Sequence, residues 1–230
     1  MRYFTTVVFI LSTAIMAHSQ TYEIGGMIGG ANFIGDVGKT TYINPNSLAV
    51  GGIFKWNRSA RHSFRGSVLV ANLKGDDSKS KDKRRKERGY KFENTVTEIS
   101  IGLEYTFFDF NVHGQKAIST PYLYTGLTYF FYNSLYKKGN DKIVDYDSAG
   151  SVAIPMVLGY KANMGKNAML GFEIGARYTF TDALDGSNPV GSLSDNEALK
   201  FGNVNNNDWY VFTGVTVTFA FGRKPCYCNF

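Results

Sequence analysis

The stretch Gly171–Thr181 reads Gly-Phe-Glu-Ile-Gly-Ala-Arg-Tyr-Thr-Phe-Thr. On a strand of period two, Phe172, Ile174, Ala176, Tyr178 and Phe180 share one face, and Gly171, Glu173, Gly175, Arg177 and Thr179 share the other. Apolar and aromatic side chains opposite charge and glycine suit a strand that separates lipid from a polar interior. A soluble sandwich strand also alternates, but its apolar face is seldom so aromatic and its polar face rarely holds both Glu and Arg. One such strand in lipid would leave its backbone groups unpaired, so the rest of the chain must close the sheet.

The 230 residues suit a single domain. Abundant Tyr, Phe and Gly with only 5 Pro fit many strands joined by turns. Beyond the N-terminus no apolar run approaches the roughly 18 residues of a membrane helix, which barrel strands do not need. Residues 1–19 read as a signal peptide, with Arg2 as the basic start, Val7–Ala17 apolar, and Ala17 and Ser19 at the cleavage positions. The mature chain then starts at Gln20. No cysteine lies near that cleavage site, so no N-terminal lipid anchor is expected. Export follows, with the outer membrane as destination.

Taken in order, the alternation predicts eight strands: Tyr22–Phe33, Leu48–Trp56, His62–Leu73, Val96–Phe107, Pro121–Tyr132, Val152–Ala162, the stretch from Gly171, and Trp209–Phe221. The fifth has aromatic residues on both faces, so its facing is ambiguous. Pro155 removes a ladder donor and predicts a bulge in the sixth. Connections are expected at Asp36–Asn46, Asn57–Arg61, Lys74–Lys91, Asp109–Ser119, Asn133–Ser148, Asn163–Asn167 and Asp182–Asn206. Their lengths alternate so that every long one falls at the same end. The expected fold class is therefore all-β: an eight-stranded antiparallel transmembrane barrel over residues 20–222, with both termini periplasmic. Inward charges assignable from the alternation are Glu23, Glu98, Glu104 and Glu173 against Lys55, Arg65, Lys161 and Arg177. Four acids facing four bases in a narrow barrel fit a filled interior better than an open pore.

The Lys74–Lys91 loop holds nine basic and four acidic residues, nearly all of the chain's net +6. It could face acidic lipid headgroups, polysaccharide or an acidic protein; the pattern favours a solvated, mobile loop whose charges repel. No base-stacking platform accompanies it, so nucleic acid is not an expected partner. No nucleophile-and-base spacing stands out. His18 leaves with the signal, and His62 and His113 fall at connections. Asp182, Asp185 and Asp195 lack the ligand rhythm of a calcium loop. No enzyme activity, catalytic residue, metal or cofactor is expected. In the last strand Gly214, Val217 and Phe219 are spaced like a membrane-insertion signal, although Phe212 stands where a polar residue is usual. Residues 223–230 form a tail beyond the wall, because Pro225 cannot continue a ladder. Its Cys226-Tyr227-Cys228 pair is too weak a signal for zinc. The two thiols could pair with each other across a strained ring, stay free, or bond a partner.

Several segments together resemble the PorG-like outer-membrane proteins of the type IX secretion system. They are Tyr22–Asp36 (YEIGGMIGGANFIGD), Thr97–Phe108 (TEISIGLEYTFF), Thr120–Tyr132 (TPYLYTGLTYFFY), Ile154–Tyr160 (IPMVLGY) and Gly171–Gly186 (GFEIGARYTFTDALDG). The match runs in order along nearly the whole mature chain. The resemblance implies an eight-stranded outer-membrane barrel serving protein secretion and gliding motility without enzymatic activity. It implies periplasmic ring partners, a PorK-like lipoprotein and a PorN-like protein, and a bond from Cys226 or Cys228 to such a ring. A shorter aspartate run at Asp182–Gly186 and the basic loop depart from the family pattern. A small porin-like channel and a surface-binding barrel are the rival readings.

Overall fold

The computed structural model describes residues 21–111, 118–139, 142–165, 167–203 and 205–222. Within these, the chain forms β1 (Thr21–Ile34), β2 (Ser47–Asn57), β3 (His62–Asp76), a short helix α1 (Lys83–Arg88), β4 (Lys91–Thr106), β5 (Ser119–Lys138), β6 (Lys142–Met164), β7 (Ala168–Thr179) and β8 (Trp209–Gly222). Each strand pairs antiparallel with the next, and β8 returns to β1 to close the barrel. Closure leaves no strand edge in the wall, which is the condition for crossing lipid. The tail, the signal segment and His113 lie outside the described residues.

Facing follows the alternation. Ile24, Ile28, Val50, Phe64, Val68, Ile101, Leu127, Leu158, Phe172 and Val215 are exposed on the outside, a continuous apolar belt that a water-soluble protein would not present. Aromatic residues gather at its two margins. Tyr22 stacks between Phe54 and Phe221 at the terminal end, with Trp56 against Phe64 nearby. At the loop end Tyr178 meets Phe180 and Trp209, and Tyr129 meets Phe131. Trp209 pairs with Ile34 of β1, so the girdles stand ~12 strand steps from Tyr22 to Ile34, about 28 Å of height at a 45° tilt. That height is a bilayer's hydrocarbon core.

Several expectations are corrected. The segment Asn133–Ser148 is no polar loop; β5 runs on to Lys138 and β6 starts at Lys142, and the two extensions pair antiparallel beyond the membrane. Pro155 causes no bulge: the β5–β6 register is the same on both sides of it, and the irregularity sits at Ser134/Leu135. The ambiguity of β5 resolves with Tyr122, Tyr124, Phe130 and Tyr132 inward and Leu123, Leu127, Tyr129 and Phe131 outward. The basic loop is ordered. Asp82 caps α1 through Arg84 N at 2.8 Å, and Gly89, at φ +70°, ends it. Arg85 donates to the carbonyls of Gly35 and Gly38, and Arg88 to Asp77 and the Asp36 carbonyl. Gly102 and Gly126 face each other across β4 and β5, where a Cβ on either would come within 2.1 Å of the opposite backbone. Only glycine lets those strands press so close.

Candidate functional site

The inward residues build the site. All eight charges assigned from the alternation are at most 4% exposed. They do not form four pairs, however. Near the terminal end Glu104 accepts from Lys55 at 2.9 Å and from Lys161 at 2.7 Å. Next, Arg65 grips Glu173 with two bonds of 2.8 and 2.9 Å, and Tyr122 donates to the same carboxylate at 2.8 Å. Higher up, Arg177 donates to Glu98 at 2.9 Å, joined by Tyr210 at 2.5 Å. Arg177 on β7 thus pairs with Glu98 on β4. Glu23 is held by neutral donors, the amide of Asn57 at 2.8 Å and the hydroxyl of Thr218 at 2.7 Å. Aromatic faces fill what remains: Arg65 lies 4.6 Å from the Tyr124 ring centre and Lys161 4.8 Å from that of Phe110.

Two apolar layers close the ends. At the terminal end Phe110 folds under the barrel, its N–H donating to Ala60 O, and packs with Met169, Ala220 and Ile118. At the loop end the connection after β7 turns back into the mouth. Ala183 and Leu184 are fully buried against Leu73, Phe92, Phe130 and Phe212. Asn94 fixes the turn by donating to Leu184 O at 2.8 Å, and Gly186 takes φ +79° to leave it. Sequence reasoning placed these residues in a loop; the signal was an Ala-Leu pair between two aspartates, closed by glycine.

Those aspartates are buried too. Asp185 accepts from the N–H groups of Asp36, Val37 and Ser187, and Asp208 accepts from Leu184 N–H. One oxygen each of Asp182 and Asp208 has no hydrogen bond. Burial, and then the neighbouring Asp185 and Asp36, push the Asp182 carboxyl up to about 8. Burial raises Asp185 and Asp208 likewise. Asp195 stands apart on the surface. Among the described residues no three acidic, His or Cys side chains are placed to hold a metal ion.

Val217 and Phe219 of the insertion pattern point outward, whereas Gly214 packs against the Ile28 carbonyl and Gly29, and Phe212 fills the interior. Cys226 and Cys228 lie outside the described residues.

A family model described as "Domain of unknown function (DUF6089)" matches residues 1–230. The chain belongs to the DUF6089 family. No curated protein matches the sequence of this DUF6089 barrel. Among solved structures it is similar to the N-terminal β-barrel domain of Pseudomonas aeruginosa OprF, with 11% identity, TM-score 0.44, and coverage of 89% of this chain and 98% of that one. It is similar to Ail of Yersinia pestis, with 7% identity, TM-score 0.47, and coverage of 89% and 100%. A major outer membrane protein from Thermus thermophilus has 14% identity, TM-score 0.45, and coverage of 89% and 100%. By its own strand closure and apolar belt, the DUF6089 chain is an eight-stranded antiparallel barrel of the outer-membrane type.

Proposed function

We propose that this barrel is a non-enzymatic outer-membrane component of the type IX protein secretion and gliding machinery. In this role it anchors ring proteins, a PorK-like lipoprotein and a PorN-like protein, through its periplasmic side and C-terminal tail. The observation that carries the reading is the sealed lumen. Two ion networks, one joining Lys55, Lys161 and Arg65 to Glu104 and Glu173 and the other pairing Arg177 with Glu98, and two apolar layers occupy the interior of an eight-stranded barrel, whose walls leave room for side chains and little else. A barrel without a passage serves as an anchor or a binding surface, not as a small porin.

The segments that resemble PorG-like proteins supply the interior. They contribute Glu23 on β1, Glu98 and Glu104 on β4, Tyr122 on β5, Glu173 and Arg177 on β7, and the Asp182–Gly186 plug. Short connections at 58–61 and 165–167 fall at the same end as Thr21 and Gly222. Short turns mark the periplasmic end of such barrels, so in this reading the end that holds Gly222, the last described residue, faces the ring. A pull-down after crosslinking in intact cells should recover PorK-like and PorN-like proteins. Recovery of neither partner, with the barrel intact in the outer membrane, sinks the anchoring role.

A further inference from the structure

The outer rim at the loop end carries cations that have no ion-pair partner among the described residues. On β3 the outward face passes from Val68 and Val70 to Lys74 within four residues, and Lys91 shares that face on β4. Those two lysines are paired, Lys74 with Glu93 at 2.8 Å and Lys91 with Asp76 at 3.3 Å. The β1–β2 connection leans over the same rim. Asn32, on the outward face of β1, is buried because its amide donates to the carbonyls of Thr41 and Tyr42 and accepts from Asn44 N–H.

Between that connection and the β3–β4 excursion lies a cleft in two adjoining parts, about 410 and 490 Å³, which share Lys39, Thr41 and Lys79. Lys39, Lys79 and Lys81 in its walls form no ion pair among the described residues. The hydroxyls of Thr40 and Thr41 and the amide of Asn44 have no hydrogen bond there either. At the loop's tip Tyr42 and Ile43 are 75% and 53% exposed and stand beside Met156, Ile174 and Ala176 of the apolar belt. The same loop therefore borders a basic cleft and the lipid-facing wall.

We infer that this cleft holds the phosphorylated saccharide headgroup of a membrane glycolipid, with its phosphates on Lys39, Lys79 and Lys81 and its acyl chains on the belt below. Ammonium groups are compact charges suited to phosphate, and partnerless hydroxyl and amide groups suit sugar hydroxyls. A soluble anion gains nothing from the apolar margin; a lipid does. The inference does not depend on the secretion role; it requires only that the loop end face the leaflet that carries such a glycolipid.

The test titrates the folded full chain in detergent with lipid A, with its deacylated bisphosphorylated disaccharide, and with polyglutamate as a charge control. Lipid A should bind saturably, more tightly than the disaccharide, and more weakly as salt rises. The double substitution Lys39→Glu/Lys79→Glu should weaken lipid A binding by about tenfold or more. Both lysines are exposed, and an unchanged heat-modifiable shift in gels certifies the fold of that variant. Unchanged affinity in the folded variant overturns the assignment, and so does polyglutamate binding as tightly as lipid A. A disaccharide that binds as tightly as lipid A overturns the membrane source.

Discussion

At the scale of single residues, burial makes each interior charge depend on its partner. Arg177 and Glu98 are both almost fully buried, and Arg177 has no other carboxylate within ion-pair distance among the described residues. Replacing Arg177 by Met strands Glu98, and it should cost about 3–5 kcal/mol in unfolding from detergent micelles. The double variant Arg177→Met/Glu98→Gln should recover part of that loss; a single variant as stable as the parent would dismiss the cluster as a stabilising element. The loop-end aspartates behave oppositely. Around Asp182 stand Asp36, Asp185 and Asp208, while Arg85 and Arg88, which reach the Gly35–Gly38 segment, are committed to backbone carbonyls and to Asp77. The folded chain therefore keeps a proton on Asp182 that the unfolded chain, titrating near 4, gives up. A folded value raised to about 8 means that this stability is complete below about pH 4 and is lost as pH rises through about 8. Hydrogen exchange of residues 182–187 should accelerate between pH 6 and pH 9, and Asp182→Asn should flatten that dependence. A rate no faster than base-catalysed exchange alone predicts would refute it.

At the scale of strands, the wall was legible and its extensions were not. The alternation in β7, Phe172 and Ile174 against Glu173 and Arg177, announces a strand with two different surroundings, and the barrel places them so. A substitution on the lipid side should follow that rule: Ile174→Arg, near the middle of the belt, should cost about 2–4 kcal/mol in unfolding, and parent-like stability would contradict the facing. Thr216→Arg, which a hollow polar interior would accept, meets a filled one. Thr216 is 5% exposed with its hydroxyl against Gly171, so an arginine there has no space. The β5–β6 hairpin beyond the membrane was not legible because the register shift at Ser134/Leu135 breaks the period-two alternation, and only Leu135 and Ile143 pack inward among polar and charged neighbours. Tyr122 and Tyr124 hid the facing of β5 because this interior accepts aromatic rings over its cations. The basic segment read as mobile because charge repulsion is visible in sequence. The carbonyls of Gly35, Asp36 and Gly38 that anchor Arg85 and Arg88 lie about fifty residues away and are not. Partner choice in the interior is hidden for the same reason: Glu98 and Arg177 are brought together by barrel curvature, which no local pattern encodes.

At the scale of the whole molecule, closure is redundant. A solute entering from the loop end meets Ala183 and Leu184 wedged among Phe92, Phe130 and Phe212. Below them come the Arg177–Glu98 cluster, the Arg65–Glu173 clamp and the two lysines on Glu104, each bonded across the lumen between strands that are not neighbours. Phe110, Met169 and Ala220 close the far end. Removing one layer leaves the others, and the ion clusters hold independently of the plug because none of their bonds passes through residues 182–187. The intact protein in a planar bilayer should therefore show no steady ion-selective steps. Replacing residues 182–187 by a glycine-serine linker should leave the membrane silent as well, while exposing the mouth to proteolysis. Steady conductance from the unaltered chain would overturn the sealed lumen and restore the small-porin reading. Conductance that appears only when the plug is replaced would show that the ion clusters pass solutes, and that the turn from Asp182 to Gly186 is a gate.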